Sequence, residues 1–384
     1  MSGSGRTPTA RQGREAQKDA PRTVVVKVGS SSVTGPDGGG IDSGAVERLC
    51  GQIAELRSMG HLVVLVSSGA ISAGWAVMGG GRRPADLATL QAVSAVGQHR
   101  LMRVYDDSLA RHGVLVGQVL LAPLDFGHRQ QYLHARQTLS RLLELGVVPV
   151  VNENDATSDD EIRFGDNDRL AALVAHLVAA DLLVLLTDAP GLLTADPRTA
   201  AEASLIEEVV EVDHGLEALA AGPGSAVGSG GMISKLAAAK IAAWSGVETV
   251  IAEAARPGVL LGAVRREPGV GTVFRPRPRR LPARKLWIAF ALPPAGTIVV
   301  DDGARRALTE REASLLPAGV SAVQGSFDAE AAVEITGADG VVFAKGLVRH
   351  GADTIRSWAG RRTGELPDDV SREVVHRDDL VVLV

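Results

Sequence analysis

Short runs of Val, Leu and Ile alternate with helical patterns along most of this chain, and that alternation constrains its fold more than any other feature. Val24–Val28, Leu62–Val66, Val114–Leu121, the run Gly146–Val151, Leu182–Leu186 and Thr249–Ala252 read as strands. Val46–Leu56, the stretch entered through Ser67-Ser68-Gly69-Ala70, Tyr132–Leu143, Leu170–Val178 and Lys235–Trp244 read as helices, with Gly60, Gly146 and Gly246 as stops. Strands apolar on both faces and separated by helices predict an α/β fold, with a mostly parallel sheet sandwiched by helices. No internal repeat is visible.

The rhythm changes after Phe274. Arg275–Lys285 holds Pro276, Pro278 and Pro282, six cations and no acid, which is the composition of a spacer. From Gly296 onward, short β runs separated by turn signals dominate: Thr297–Val300, Gly319–Val323, Ala332–Ile335, Val341–Ala344 and Leu380–Leu383. They predict a small β-rich, barrel-like domain. With 384 residues the chain is long for one core. The expected division is an extension over residues 1–21, an α/β domain over 22–274, a linker over 275–295 and the β-rich domain over 296–384. The extension is rich in Ser, Gly, Arg and Gln, lacks the apolar core of a signal peptide and is expected to be disordered.

Composition narrows the function classes. A net charge of -5 gives no electrostatic reason to expect nucleic acid or an anionic membrane. Cys50 is the one cysteine, which rules out an internal disulfide and a cysteine-cluster metal site and fits a reducing, cytoplasmic setting. No apolar run is long enough to span a bilayer; Leu170–Leu186 is broken by His176 and Asp181. Only six of the 40 cations are lysines. A lysine beside glycines and a strand end therefore stands out, and Lys27 and Lys235 both have that setting.

Three segments carry the chemistry. Lys27-Val28-Gly29-Ser30-Ser31 leaves the first strand with a compact cation and a glycine turn suited to phosphate oxygens. Gly228-Ser229-Gly230-Gly231-Met232-Ile233-Ser234-Lys235 repeats that chemistry ahead of a helix, yet it is not a Walker A sequence, and no G-x-G-x-x-G follows the first strand. Between them, Val150–Leu170 leaves an apolar run and becomes dense in Asn and Asp: Asn152, Asn154, Asp155, Asp166, Asn167 and Asp168. Such a set at a strand end suits a small zwitterion, with carboxylates for an ammonium and amides for a carboxylate. Capping and solvated turns would use the same residue types.

Taken in order, K-V-G-S-S, V-S-S-G-A, V-N-E-N-D, F-G-D-N-D, T-D-x-x-G-L-x-T-x-D-P and S-G-G-M-x-S-K resemble the glutamate 5-kinases of the amino acid kinase superfamily over Val24–Phe274. Gly296–Val384 is similar to the PUA domain attached to many of them. The resemblance implies ATP and Mg²⁺ as cofactors and L-glutamate as acceptor, with Lys27, Lys235 and Asp168 catalytic. It assigns Lys27, Thr187, Asp188, Ser229, Gly230, Gly231, Met232, Ile233, Ser234 and Lys235 to ATP, and Ser68, Asp155 and Asn167 to glutamate. Asp168 would orient the two lysines. Ser234 stands where the family usually has Thr, which keeps the hydroxyl. Proline as feedback inhibitor and a homo-oligomeric state are further implications. No direct metal ligand is assigned.

Three alternatives set the tests. A relative acting on aspartate or N-acetylglutamate would share the fold, but an acetylated amine has no use for Asp155. A uridylate kinase would need cations for its acceptor phosphate, and Arg163 and Arg169, the basic residues of the polar segment, fit a solvated face. An RNA-binding role for the β-rich domain would need a basic surface. Residues 297–384 instead carry ten Lys or Arg against fifteen Asp or Glu. Trp287 and Phe290 read as packing anchors.

Overall fold

In a computed structural model the described residues are 20–383, apart from 36–39, 82–83, 123–124, 127–128, 158–166, 196–199, 201, 222–229, 279 and 366–371. They divide into two compact units between Arg280 and Leu281. The expected extension lies almost wholly outside the described residues.

An eight-stranded sheet forms the larger unit. Its strands are β1 (Thr23–Val28), β2 (Leu62–Ser67), β3 (Val116–Leu121), β4 (Val148–Glu153), β5 (Leu182–Thr187), β6 (Glu208–Val209), β7 (Glu248–Glu253) and β8 (Thr272–Phe274), in the order β3-β4-β2-β1-β5-β7-β8-β6. Every pairing is parallel except β7 with β8. Helices cover the sheet, so β1, β2, β4, β5 and β7 can be apolar on both faces, and they are buried almost end to end. Parallel pairing also gathers the carboxyl ends of these strands along one edge. Lys27 lies opposite Val66 and Leu185, and Val66 lies opposite Val151. Lys27, Ser67 and Asn152 thus reach the same level of the sheet.

The helices follow from capping and periodicity. In α1 (Ser43–Ser58), Asp42 caps the start by accepting from the Ala45 amide, and Val46, Leu49, Cys50, Ile53 and Leu56 form the buried stripe. α2 (Ala70–Val77) begins after Gly69, whose φ of +108° requires a residue without Cβ strain. α3 (Leu87–Ala110) is capped by Asp86 and crosses α2 backbone against backbone. A Cβ on Gly74 of α2 would lie 2.0 Å from the Val93 carbonyl oxygen, and one on Gly97 of α3 would lie 1.8 Å from that of Ala70. Neither position admits a larger residue without parting the helices. α4 (Arg129–Glu144), α5 (Asn167–Leu177), α6 (His214–Ala221), α7 (Gly230–Trp244) and α8 (Val259–Arg265) complete the unit.

The smaller unit is a five-stranded sheet of β9 (Gly296–Val300), β10 (Val320–Gly325), β11 (Ala332–Thr336), β12 (Val342–Val348) and β13 (Val375–Val382), ordered β10-β9-β11-β12-β13. Only the β9–β11 pair is parallel. Ile298, Val333, Ile335, Phe343 and Leu380 from the sheet pack with Leu308 and Ile355 in one core. The last two come from helices that the sequence reading did not anticipate, α10 (Asp302–Arg311) and α11 (Ala352–Trp358).

The expected spacer over 275–295 is shorter in the structure. Arg275 pairs with Glu208 and Glu248, and Arg277 lies over the Trp244 ring and pairs with Glu211, so both belong to the larger unit. α9 (Ala283–Leu286) runs into a π turn over Trp287–Ala291; Leu286 and Ile288 are buried, and Arg284 pairs with Asp379 in the smaller unit. Arg275, Arg277 and Arg284, which read in sequence as part of a spacer, are anchors with carboxylate or aromatic partners.

Candidate active site

Three loops meet at the carboxyl edge of the large sheet. Lys27 is the penultimate residue of β1, and the chain runs on through Val28 and Gly29 into a single 3-10 turn at Ser30–Ser32. Gly29 has φ -79°, which any residue adopts, so the turn itself does not demand glycine. Its missing side chain leaves room instead: a Cβ would sit 3.8 Å from Lys27 Nζ. From β5, Thr187 and Asp188 extend beside this turn, and Ser31 Oγ donates to Asp188 Oδ1 at 3.2 Å.

α7 begins at Gly230, earlier than its apolar pattern suggests. Gly231, Met232, Ile233, Ser234 and Lys235 therefore lie in its first turns, where unpaired backbone N–H groups favour an anion. Ser229 lies outside the described residues. Among the described residues a Cβ on Gly231 would meet nothing within 4 Å.

Asp168 joins the two lysines. It is fully buried in the first turn of α5, with Oδ1 2.5 Å from Lys27 Nζ and Oδ2 2.9 Å from Lys235 Nζ. Ser234 Oγ donates to the same Oδ2 at 3.2 Å. Two cations that repel one another are held together by one carboxylate, which offsets one of their two charges. A polyphosphate supplies the opposite charge such a pair attracts.

The neighbouring residue looks the other way. Asn167 heads α5, and one residue of helix turns its side chain about 100° from that of Asp168. Its Nδ2 donates to Ser68 Oγ at 2.8 Å, to Asn152 Oδ1 at 2.8 Å and to the Ser67 carbonyl at 3.0 Å. Asn152 Nδ2 donates in turn to Gln98 Oε1 at 2.8 Å, and Ser67 Oγ shares a proton with the Tyr105 hydroxyl at 2.8 Å. Gln98 and Tyr105 come from the buried face of α3, and neither is a residue the motifs point to. Their signal in the sequence is an amide and a phenol at helical spacing within a mostly apolar stripe that also holds Ser94 and Ser108. Burial pushes the Tyr105 phenol above its ordinary range, with the Ser67 bond opposing it, so it remains a neutral hydroxyl. Asp155 lies half-buried in the turn after β4, two residues past its end.

Residues 22–253 match the amino acid kinase family and residues 296–368 match the PUA domain. A glutamate 5-kinase of Nocardia farcinica is 48% identical over 94% of this chain and 96% of its own. The glutamate 5-kinase of Mycobacterium avium is 46% identical over 96% of this chain and all of its own, and that of Pelobacter propionicus is 45% identical over 94% and 98%. The chain belongs to the glutamate 5-kinases of the amino acid kinase family.

Membership places the two clusters in an enzyme, and three other expectations can be set against the structure. Arg169 does not lie on a solvated face. It is half-buried, burial pulls its guanidinium below the ordinary value, and its Nε has no hydrogen-bond partner among the described residues. Arg163 and Asp166 lie outside the described residues. Cys50 is buried in the core, and burial followed by the charge of Glu47 pushes its thiol up to about 12, which keeps it unreactive. No helix among the described residues is long and apolar enough to cross a membrane.

The donor set also bears on magnesium. Among the described residues no group of three or more His, Cys, Asp or Glu could hold a metal ion, and Asp168 has one oxygen committed to each lysine.

Proposed function

We propose that the protein transfers the γ-phosphoryl group of ATP to the γ-carboxylate of L-glutamate, giving glutamyl 5-phosphate and ADP, the first step of proline biosynthesis. The observation that carries this reading is the pair Asn167–Asp168: consecutive residues, one organising two buried lysines and the other organising a cluster of neutral amides and hydroxyls. A charged donor end and a neutral acceptor end meet at the head of one helix.

The acceptor is already ionised near neutral pH, since a γ-carboxylate has a reference pKa of about 4.3. It attacks phosphorus without a general base. What the reaction needs is alignment and cations to offset repulsion between carboxylate and polyphosphate. Lys27 and Lys235 supply those cations from β1 and α7, and Asp168 holds them in place. The head of α7, from Gly230 through Ser234, offers backbone amides to the phosphates, with Ser229 assigned to the same nucleotide and Thr187 and Asp188 along it. Ser68, Asp155 and Asn167 hold the amino acid, Asp155 through the α-ammonium. Magnesium bound to the β- and γ-phosphate oxygens would neutralise part of their charge. A cytoplasmic location, feedback inhibition by proline and a homo-oligomeric state belong to the same proposal.

An acyl phosphate is trapped by hydroxylamine, so the test is ATP- and Mg²⁺-dependent hydroxamate formation with glutamate, aspartate and N-acetylglutamate. Turnover with glutamate far above the other two is expected. A clear preference for either of the others would overturn the assignment of acceptor.

A further inference from the structure

The amides behind the acceptor end are locked in one orientation, and backbone groups decide which. The Glu153 N–H donates to Asn152 Oδ1 at 2.9 Å, so that atom must be the oxygen. The Ser67 carbonyl can only accept, so the atom of Asn167 at 3.0 Å from it must be the nitrogen. With both ends fixed, Asn152 turns its nitrogen toward α3, where Gln98 Oε1 receives it at 2.8 Å. Gln98 Nε2 is buried and has no hydrogen-bond partner among the described residues. This glutamine is therefore used through its oxygen.

The consequence reaches the ligand side of Asn167. The two protons of its nitrogen are shared among three inward acceptors, its Oδ1 makes no hydrogen bond among the described residues, and the residue keeps 8% of its surface exposed. Ser68 Oγ, which accepts from Asn167, keeps its own proton. The acceptor site thus presents an amide oxygen to a hydrogen-bond donor and a hydroxyl proton to an acceptor. That is the polarity an amino acid needs, ammonium on Asn167 and carboxylate on Ser68.

We propose that Gln98 is a positioning residue for the ammonium of the acceptor amino acid. Its Oε1 holds Asn152, Asn152 Oδ1 holds Asn167, and Asn167 Oδ1 faces the ammonium. The proposal rests on reading this cluster as the amino acid site. It goes beyond that reading by assigning a role to a helix that contributes no residue to the motifs.

Gln98→Met fills similar space, removes the acceptor and also removes the unbonded amide nitrogen. It is expected to lower the melting temperature only slightly, because it removes one buried unbonded nitrogen while leaving Asn152 Nδ2 without its acceptor. The same variant should raise KM for glutamate about tenfold, the scale of one weakened hydrogen bond to a charged group, with KM for ATP unchanged. Gln98→Glu keeps an acceptor oxygen and should recover part of the loss. Glutarate, which has the two carboxylates but no amine, serves as a competitive inhibitor against glutamate. Its inhibition constant should be the same in wild type and Gln98→Met, because the group that Gln98 serves is missing. Unchanged KM for glutamate in active Gln98→Met, equal rises for glutamate and ATP, or an equal rise in the glutarate constant would each overturn the proposal. Should Gln98→Met fail to fold, wild-type behaviour in every respect for Gln98→Asp, which withdraws the acceptor by one methylene, would overturn it too. Wild-type enzyme that forms no hydroxamate from glutamate would instead bring down the amino acid site itself, and Gln98 with it.

Discussion

Lys27 and Lys235 of the larger unit and Lys345 of the smaller one are almost equally withdrawn from solvent, with 3%, 5% and 6% of their surface exposed. Their surroundings differ. The first two converge on a single carboxylate from two different elements. Lys345, on β12, reaches the carbonyl oxygens of Ala289 and Leu292 where the π turn ends. Carbonyl dipoles at a helix end are a structural sink for a cation, since they satisfy both partners without a ligand. Two ammonium groups on one carboxylate are a poor way to stabilise a fold, because each lysine pays desolvation and they repel one another. The difference separates a lysine that fastens a helix to a sheet from the lysines proposed to receive an anion.

The largest expected effect breaks the charged end. Lys235→Ala and Lys27→Ala should each lower kcat by about 100-fold or more, the scale of losing one preorganised charge-stabilising group. Lys235→Arg should rescue poorly, because a planar fork does not replace a point charge at the head of a helix. Steady-state kinetics on folded protein decides this, and near-wild-type kcat in Lys235→Ala would make that lysine as structural as Lys345. Lys345→Met provides the opposite result. It should cost about 2 kcal/mol in denaturant unfolding of the smaller unit, by leaving main-chain carbonyls without their donor, while kcat and both KM values stay unchanged. Loss of activity there would mean that the smaller unit takes part in chemistry.

A smaller effect probes the acceptor end. Asp155→Asn should raise KM for glutamate by about tenfold and leave KM for ATP alone, since its proposed partner is the ammonium. Equal effects on both substrates would contradict the division between the two ends.

The smallest effect concerns a cation that never forms. His176 on α5 is held down to about 4, first by burial and then by Arg280 and Arg136. Its folded value lies below the ordinary 6.5, so it folds neutral and the unfolded chain binds the extra proton. Stability from this residue is complete above about pH 6.5 and is lost as pH falls toward 4, by a few kcal/mol at most. His176→Phe should flatten that part of the melting-temperature profile and change nothing above neutrality. An unaltered acid limb would show that other groups govern it.

The sequence made some parts of this structure legible and hid others for physical reasons. β1, β2, β4, β5 and β7 are buried on both faces, so their Val and Leu runs are continuous and easily read. β6 and β8, two and three residues long, carry too little pattern to detect. α10 escaped notice because Leu308 is its one buried residue. α3 is the more instructive case. Its buried face includes Ser94, Gly97 and Gln98 among the apolar residues, which weakens the stripe. Gly97 and Gln98 are also what fit the helix to α2 and to Asn152. The same substitutions that hide the helix equip it. At the site, Lys27, Asp168 and Lys235 were named from the motifs and the structure brings them within hydrogen-bonding distance, while Gln98 and Tyr105 lie far from any motif.

The glycine contact between α2 and α3 has a consequence for redesign of the enzyme. Gly69 and Ser68 lead into α2, Gln98 lies beside Gly97 on α3, and the two helices touch main chain to main chain. Ser68 and Gln98 are thereby carried on a single cassette that cannot be sheared without moving both. Directed evolution toward a longer or shorter acceptor has to work by exchanging the side chains this cassette displays. Libraries that vary Gly74 or Gly97 will mostly return proteins whose selectivity is blurred, because the two sides of the proposed acceptor site will no longer keep step.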